Sequence, residues 1–259
     1  MGADGASASV ASAGLVTSET SQKFAQRHQH GRRFRHKSII SPEMQRRARL
    51  HRTKKTVVTG ARLAVEEAQR GGFRGRWAML TLTYRDDVRW KAKQLAVLTD
   101  HLRQYAKRCG FVARYVWALE LTKRGRPHYH LLVWLPRGRT LPKPDKQGWW
   151  AHGMTKVEWA RNAVGYLAKY ASKGIEDSQW CLIPKGARMC GNGGISVEGR
   201  TELRWWKLPL WAREHWTEIA DVIRSQGGFV NRGTGEYLAS PYRVIFHGGA
   251  LCLLEAVNE

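Results

Sequence analysis

The chain has 259 residues, of which 42% are hydrophobic, so it can bury a sizeable core and wholesale disorder is excluded. Its 44 Lys and Arg residues against 21 Asp and Glu residues give a formal net charge of +23, which indicates a polyanionic partner. No run reaches the roughly 18 apolar residues of a membrane span. The sequence also shows no long helix with one apolar and one basic face, so nucleic acid is favoured over a membrane surface as the polyanion.

The N-terminal part of the chain divides into a tail and a strongly basic arm. Residues 1–20 are rich in Ala, Ser and Gly and contain no Lys or Arg, which is typical of a flexible tail and not of a signal peptide. Residues 23–55 hold twelve Lys and Arg residues against one acid, Glu43, so a clamp on nucleic-acid phosphates is favoured over a merely solvated arm. We predict a flexible basic arm over 1–40, a main domain with an N-terminal helix over 41–175, and an extension of that domain over 176–259.

The remaining elements predict an α+β fold with a central antiparallel sheet and flanking helices. A helix is predicted to begin at Ser41-Pro42, where serine caps and proline suits the first turn, and to end before Gly71. Apolar periodicity then predicts strands over 76–84, 112–121, 126–135 and 153–160, and helices over 90–108 and 161–172. In the C-terminal part, a helix over 208–225 that ends at Gly227-Gly228 and a hairpin over 236–246 are predicted.

A β-hairpin is predicted where Lys123-Arg124-Gly125 joins two strands, with the glycine in the left-handed conformation that closes a three-residue turn. Thr122 then pairs with Arg126, so Glu120 lies opposite His128 and Ala118 lies opposite His130. Glu120, His128 and His130 therefore share one face of the sheet.

Two imidazoles and one carboxylate on one face are suited to a metal ion with open coordination positions. That donor set accepts Mg²⁺ or Mn²⁺ bound to a phosphate oxygen and water, and other transition metals as well. Two histidines on one strand face are more often ordinary polar residues, and the opposing Glu120 is what favours the metal site.

The helix over 161–172 carries Tyr166, Lys169 and Tyr170, with Lys173 just beyond it, at a spacing that places all four in one stripe. Val164, Leu167, Ala168 and Ala171 fall on the other side and can pack on the sheet. The pKa of a tyrosine phenol is about 10, and an adjacent lysine favours the phenolate, so each tyrosine is a candidate nucleophile toward phosphorus. A stripe of boundary tyrosines and solvated lysines without chemistry is the alternative.

Three motifs in this order resemble those of the HUH endonucleases, in particular the rolling-circle replication initiators of filamentous and related single-stranded-DNA phages. Met79-Leu-Thr-Leu-Thr-Tyr84 is similar to the first motif, and Pro127-His128-Tyr129-His130 is similar to the second. Tyr166-Leu-Ala-Lys-Tyr170-Ala-Ser-Lys173 is similar to the third, in its two-tyrosine form. The similarity covers roughly residues 75–245, including Pro184-Lys-Gly-Ala-Arg, Arg204-Trp-Trp and Leu208-Pro.

The resemblance implies an RRM-related, palm-like β-α-β-β-α core and an enzyme that nicks and rejoins one DNA strand at an origin. It implies that His128 and His130 bind Mg²⁺ or Mn²⁺ with Glu120 as third ligand, that Tyr166 and Tyr170 are nucleophiles, and that Lys169 and Lys173 orient phosphate or phenol. Two rivals stay open with related chemistry: a transposase or relaxase, and a hydrolytic metallonuclease. A non-catalytic binder of single-stranded nucleic acid, which stacks bases on tryptophans, is the rival from another class.

The expected partners are origin DNA, single-stranded or as a hairpin, together with a host helicase and polymerase, and no membrane. The basic residues expected to contact the DNA are Arg32, Arg33, Arg35, Arg46, Arg47, Lys54, Lys55, Lys123, Arg124 and Arg126. Four scattered cysteines without a C-x-x-C pair argue against a zinc ribbon and indicate a reducing cytosol. The resemblance implies that this is the cytoplasm of a bacterial host.

Overall fold

The structure, a computed structural model, describes residues 32–72, 74–172 and 177–257. These residues form two compact units, which are described separately. The larger unit spans Ile40–Ile219, and the smaller joins the described residues before Ile40 to those after Ile219. The segment over 176–259, expected to extend one domain, is thus divided between both units.

The larger unit is built on a five-stranded, fully antiparallel sheet. Its strands lie in the order β5-β2-β4-β3-β6. In chain order they are β2 (Gly75–Thr83), β3 (Tyr115–Leu121), β4 (Pro127–Pro136), β5 (Thr155–Ala160) and β6 (Cys190–Gly193). The predicted α+β fold with a central antiparallel sheet is confirmed, and β6 is an additional strand that the apolar pattern of Cys-Gly-Asn-Gly does not predict.

The long first helix begins where the sequence predicts. Helix α1 (Pro42–Arg70) has Ser41 as its N-cap, and the Ser41 Oγ accepts a hydrogen bond from the Met44 N–H at 3.1 Å. Proline occupies the first turn, where its missing N–H costs nothing. Gly71 follows the last residue and its N–H donates to the Glu67 carbonyl, so the predicted end of the helix is also confirmed.

Helices cover both faces of the sheet. On one face, Leu98 and Leu102 of α2 (Gln94–Arg108) pack with the inward side chains of β2 and β4. On the other face, α1 and α3 (Ala163–Ser172) pack together on the sheet. The buried residues of this second core are Val57, Ala61, Ala64, Met79, Val116, Ala118, Leu132, Leu167 and Ile195. The alternation of side chains along each strand therefore sorts the predicted core into two layers.

The predicted helix over 208–225 is wrong. The larger unit ends in α4 (Val197–Trp206) and the short α5 (Leu210–His215), after which Trp216 is extended. Residues Val222–Ser225 form strand β7 instead. Gly227, which suggested a helix stop, has φ +68° and closes the tight turn between β7 and β8 (Gly228–Asn231), because Ser225 pairs with Gly228.

The smaller unit contains two three-stranded antiparallel sheets. One has the order β7-β8-β9, with β9 at Tyr237–Ala239. The other has the order β1-β11-β10, with strands β1 (Phe34–Ile39), β10 (Tyr242–His247) and β11 (Ala250–Ala256). Strand β1 thus lies within the range for which a flexible arm was predicted, whereas residues 1–31 lie outside the described part.

The predicted hairpin over 236–246 is also wrong, because β9 and β10 belong to different sheets. The chain leaves one sheet at Ser240-Pro241, where proline has no N–H for a ladder. The Ser240 Oγ accepts a hydrogen bond from the Tyr242 N–H at 3.1 Å, while the Ser240 N–H donates to the Gly227 carbonyl. Strand β10 then pairs with β11 through the turn at Gly248-Gly249.

We expect Gly125→Ala to lower the free energy of unfolding by about 1–2 kcal/mol, because Gly125 has φ +72° in the β3–β4 turn. An added Cβ would also clash with the Leu182 side chain. Gly138→Ala is the matched control, since Gly138 has φ +81° with nothing near its Cβ position. Denaturant unfolding should show a larger loss for Gly125→Ala, and equal losses would contradict a contribution from Leu182.

Candidate active site

The β3–β4 hairpin has the predicted register. Glu120 pairs with His128 and Ala118 pairs with His130. The Thr122 N–H donates to the Arg126 carbonyl at 2.9 Å, and Gly125 is in the left-handed conformation. Glu120, His128 and His130 therefore share one face of the sheet, as their spacing predicts.

The side chains of this face form a connected polar cluster with β2. His130 Nε2 lies 2.9 Å from Glu120 Oε2, and His130 Nδ1 lies 3.3 Å from Thr81 Oγ1. His128 Nδ1 lies 3.2 Å from Thr83 Oγ1, and the two imidazole centroids are 4.7 Å apart. The His130 side chain is only 6% exposed and that of Glu120 is 19% exposed, so solvent screens this pair weakly.

The chemistry of this cluster fits a divalent metal ion. Two ligands about 2.1 Å from an octahedral ion and at a right angle are about 3.0 Å apart, close to the separation of His130 Nε2 and Glu120 Oε2. The Thr81 hydroxyl can either donate to or accept from Nδ1, so it also satisfies the tautomer that frees the Nε2 lone pair for a metal.

A metal ion held by all three predicted ligands would require side-chain rearrangement. Over the ranges that the structure describes, no three His, Cys, Asp or Glu side chains are grouped closely enough to ligate one ion. His130 Nε2 and Glu120 Oε2 contact each other directly, so an ion would have to replace that contact.

Helix α3 brings the first tyrosine to this same sheet face. Leu167 is fully buried in the core that contains Leu132. Leu132, His130 and His128 are two residues apart along β4, so they lie on the same face of the sheet. On the outer side of the helix, Tyr166 is 39% exposed and Lys169 is exposed. Tyr170 lies in α3, but its side chain is outside the described part of the structure, and Lys173 is outside the described residues.

Lys156 on β5 is a residue of this face that the sequence analysis missed. It pairs with Thr81 of β2, so its side chain projects on the face of His130. The pKa of Lys156 is raised by its hydrogen bond to Glu158, at 2.8 Å, by the charge of that carboxylate and, to a smaller extent, by the Tyr166 phenol. The alternation of β5 and its register with β2 are the signals that could have found it.

The residues predicted to contact DNA belong to three parts of the described structure: the hairpin turn, helix α1 and the smaller unit. Three of them, Lys123, Arg124 and Arg126, lie together at the hairpin turn, where both arginines pair with Asp86. The Arg126 guanidinium also donates to the carbonyls of Arg85 and Asp86 and so helps to hold that loop.

A second group of the predicted DNA contacts lies on α1 and a third in the smaller unit. On α1, Arg47 pairs with Glu43 at 2.7 Å. The pKa of Lys55 is lowered by burial and by the nearby Arg213. Arg46 and Lys54 lie on the same helix, whereas Arg32, Arg33 and Arg35 belong to the smaller unit. There, Arg35 pairs with Glu255 at 3.4 Å.

The thiols of Cys190 and Cys181 should differ sharply in reactivity. Burial raises the pKa of Cys190 to about 11, against a smaller opposite effect of Lys207 and Arg188, whereas Cys181 is exposed. At pH 8 a thiol of pKa about 11 is roughly 0.1% thiolate, so iodoacetamide should modify Cys181 much faster. Mass spectrometry should show alkylation of Cys190 accelerating about tenfold per pH unit up to pH 10. Equal rates at pH 8 would contradict the raised pKa.

None of the helices within the described ranges has the length and apolar composition that crossing a membrane requires.

Searches of curated proteins and of solved structures gave no match. A family model described as "Replication-associated protein ORF2/G2P" matches residues 77–175, from β2 through α3. All seven residues predicted for metal binding and catalysis lie inside that range. Over residues 77–175 the chain is thus similar to replication-associated proteins, which agrees with the predicted role in DNA replication.

Proposed function

We propose that this protein is a replication initiation endonuclease, which nicks one DNA strand at an origin and later rejoins it through a tyrosine intermediate. One observation carries the proposal. Helix α3, with Tyr166 on its exposed side, packs on the sheet face that presents His128, His130 and Glu120. The match of residues 77–175 to replication-associated proteins supports the same function.

The reaction needs a nucleophile beside a site that can hold a phosphate. The phenol oxygen of Tyr166 or Tyr170 attacks phosphorus, the bond from phosphorus to the 3′ oxygen breaks, and the 5′ phosphate stays on tyrosine. The phenol proton passes to solvent, and the leaving 3′ oxygen takes up a proton. Lys156, whose charge interacts with the Tyr166 phenol, and the exposed Lys169 of α3 would contact the phosphate or the phenol oxygen during the attack.

The residues that would hold a metal ion are His128, His130 and Glu120. A bound Mg²⁺ or Mn²⁺ would polarise the phosphate and help to hold it in line for the attack. Thr81 and Thr83 orient the two imidazoles through their Nδ1 atoms.

The intermediate suits rolling-circle replication of phage or plasmid DNA. The free 3′-OH primes synthesis by a host polymerase while a host helicase opens the duplex. The phosphotyrosine conserves the energy of the phosphodiester bond, so a 3′-OH can attack it and close a circle without ATP. With two tyrosines, one can cut while the other holds the earlier end.

The test uses the full chain and end-labelled single-stranded oligonucleotides that tile a candidate origin, with Mg²⁺, Mn²⁺ or EDTA. A metal-dependent covalent adduct should appear on denaturing gels. It should disappear in Tyr166→Phe, in Tyr170→Phe or only in the double variant, but persist in Tyr105→Phe, whose hydroxyl donates to the Thr140 carbonyl on α2's face of the sheet. Cleavage without adduct would indicate a hydrolytic metallonuclease. Binding without cleavage would indicate a non-catalytic binder.

A further inference from the structure

A groove of about 760 Å³ opens at the end of the sheet away from the hairpin turn. It lies where β2 begins and where α3 begins, since Gly75, Trp77, Asn162 and Val164 line it. Gln69, Arg74, Trp134 and Arg161 also line it. A smaller depression of about 370 Å³ adjoins the groove at Arg74 and includes Arg76 and Arg137.

The charge of this end of the sheet is positive and unbalanced. Arg74 and Arg161 line the groove, Arg76 and Arg137 line the depression, and no acidic residue lines either. Within the described ranges none of the four pairs with a carboxylate, unlike Arg47, which pairs with Glu43. The Arg137 N–H donates to the Arg74 carbonyl at 2.7 Å, so the backbone holds two of these arginines side by side. Such a cluster attracts a polyanion.

The groove also offers groups that recognise unpaired bases. Trp77 is half-buried in its wall, and Trp134 is buried beneath Gly75, whose hydrogen leaves room for the indole. The amides of Gln69 and Asn162 line the groove and can bond to base edges. An aromatic side chain beside arginines is typical of single-stranded nucleic-acid sites, since a duplex hides its base faces.

The groove lies on the same sheet face as the candidate active site. Trp134 lies four residues from His130 on the same face of β4, which corresponds to about 13 Å along the strand. Asn162 caps α3, because its Oδ1 accepts the Gly165 N–H at 2.9 Å, and Tyr166 follows one turn later. A DNA strand that lies in the groove would therefore run toward Tyr166.

We propose that this groove binds a segment of single-stranded DNA, with Arg74 and Arg161 on its phosphates and Trp77 against a base. Its role as the binding site for the strand next to the cleaved phosphate rests on the proposed function. Binding itself does not, because neither a metal nor a tyrosine takes part in it.

The test measures the fluorescence anisotropy of a labelled oligo(dT) with the full chain in EDTA, over a series of salt concentrations. The variant is Arg74→Gln with Arg161→Gln, and both side chains are exposed, so the fold should persist by circular dichroism. Loss of two phosphate contacts should weaken binding about tenfold and reduce the slope of log K against log salt by about 1.4. The matched control, Lys107→Gln with Arg108→Gln, removes equal charge from α2 on the opposite face and should change affinity less than about twofold.

Equal losses in both double variants would overturn the proposal, as would an equal loss of affinity for a duplex of the same length. Failure of the proposed endonuclease activity can be distinguished from failure of the proposed DNA-binding groove. If the wild type forms no adduct but the groove variant loses binding, the endonuclease proposal is contradicted and the groove proposal is supported. If the wild type forms the adduct and the groove variant binds normally, the groove fails alone.

Discussion

Replacing His130 with alanine is expected to lower the rate of adduct formation with DNA by more than about 100-fold. Loss of an outer partner of a metal ligand typically costs 10–100-fold, so loss of a ligand should cost more. His130 is the most enclosed of the three predicted ligands, with Glu120 on Nε2 and Thr81 on Nδ1. Removing it leaves the Glu120 carboxylate without its imidazole and removes one donor for the ion that would orient the phosphate.

A graded series checks this expectation by single-turnover cleavage of one labelled oligonucleotide. Thr81→Val keeps the shape of the side chain but removes the hydroxyl at Nδ1, so a loss of about 10–100-fold is expected. His101→Ala, which removes an imidazole stacked on Trp149 on the opposite face, should leave the rate unchanged. Full activity of His130→Ala would exclude this histidine as a metal ligand, and the hairpin would then have only a structural role.

Local patterns predicted the hairpin in detail because its determinants are adjacent in sequence. A three-residue turn that ends at Gly125 sets the register, and the alternation of side chains then places Glu120 opposite His128. The beginning of α1 is equally local, since Ser41 caps the helix within one turn. In both cases a few neighbouring residues specify the register or the boundary of the element.

Two of the misses depend on pairings between residues that are distant in sequence, and the third depends on a glycine pair that suits two conformations. Lys156 joins the candidate site only because β5 pairs with β2, where its partner Thr81 lies 75 residues earlier in the chain. Strand β1 pairs with β11 at the other end of the protein, so its charged sequence resembled an arm. Gly227-Gly228 can end a helix or close a hairpin, and the partners of β8 decide between the two.

Leu167→Ala is expected to lower the free energy of unfolding by about 2–5 kcal/mol, through lost burial and the cavity left behind. Leu167 has 0% exposure and packs with Val57 of α1 and with Met79 and Leu132 of the sheet. It also fixes α3 on that sheet, so Tyr166 should lose its position together with stability. The measurement is denaturant unfolding, combined with adduct formation at a temperature where the variant is fully folded.

The matched control is Leu210→Ala on α5, because Leu210 is 60% exposed and the same atoms are removed. Its effect on stability should stay within about 0.5 kcal/mol, and its adduct should form at the wild-type rate. If Leu167→Ala were as stable as this control, α3 would not be anchored through Leu167. If Leu167→Ala were destabilised but fully active when folded, the packing of α3 would stabilise the fold without positioning the nucleophile. If Leu167→Ala lost both stability and adduct formation, the buried Leu167 side chain would be shown to stabilise the fold and to position the tyrosine of α3.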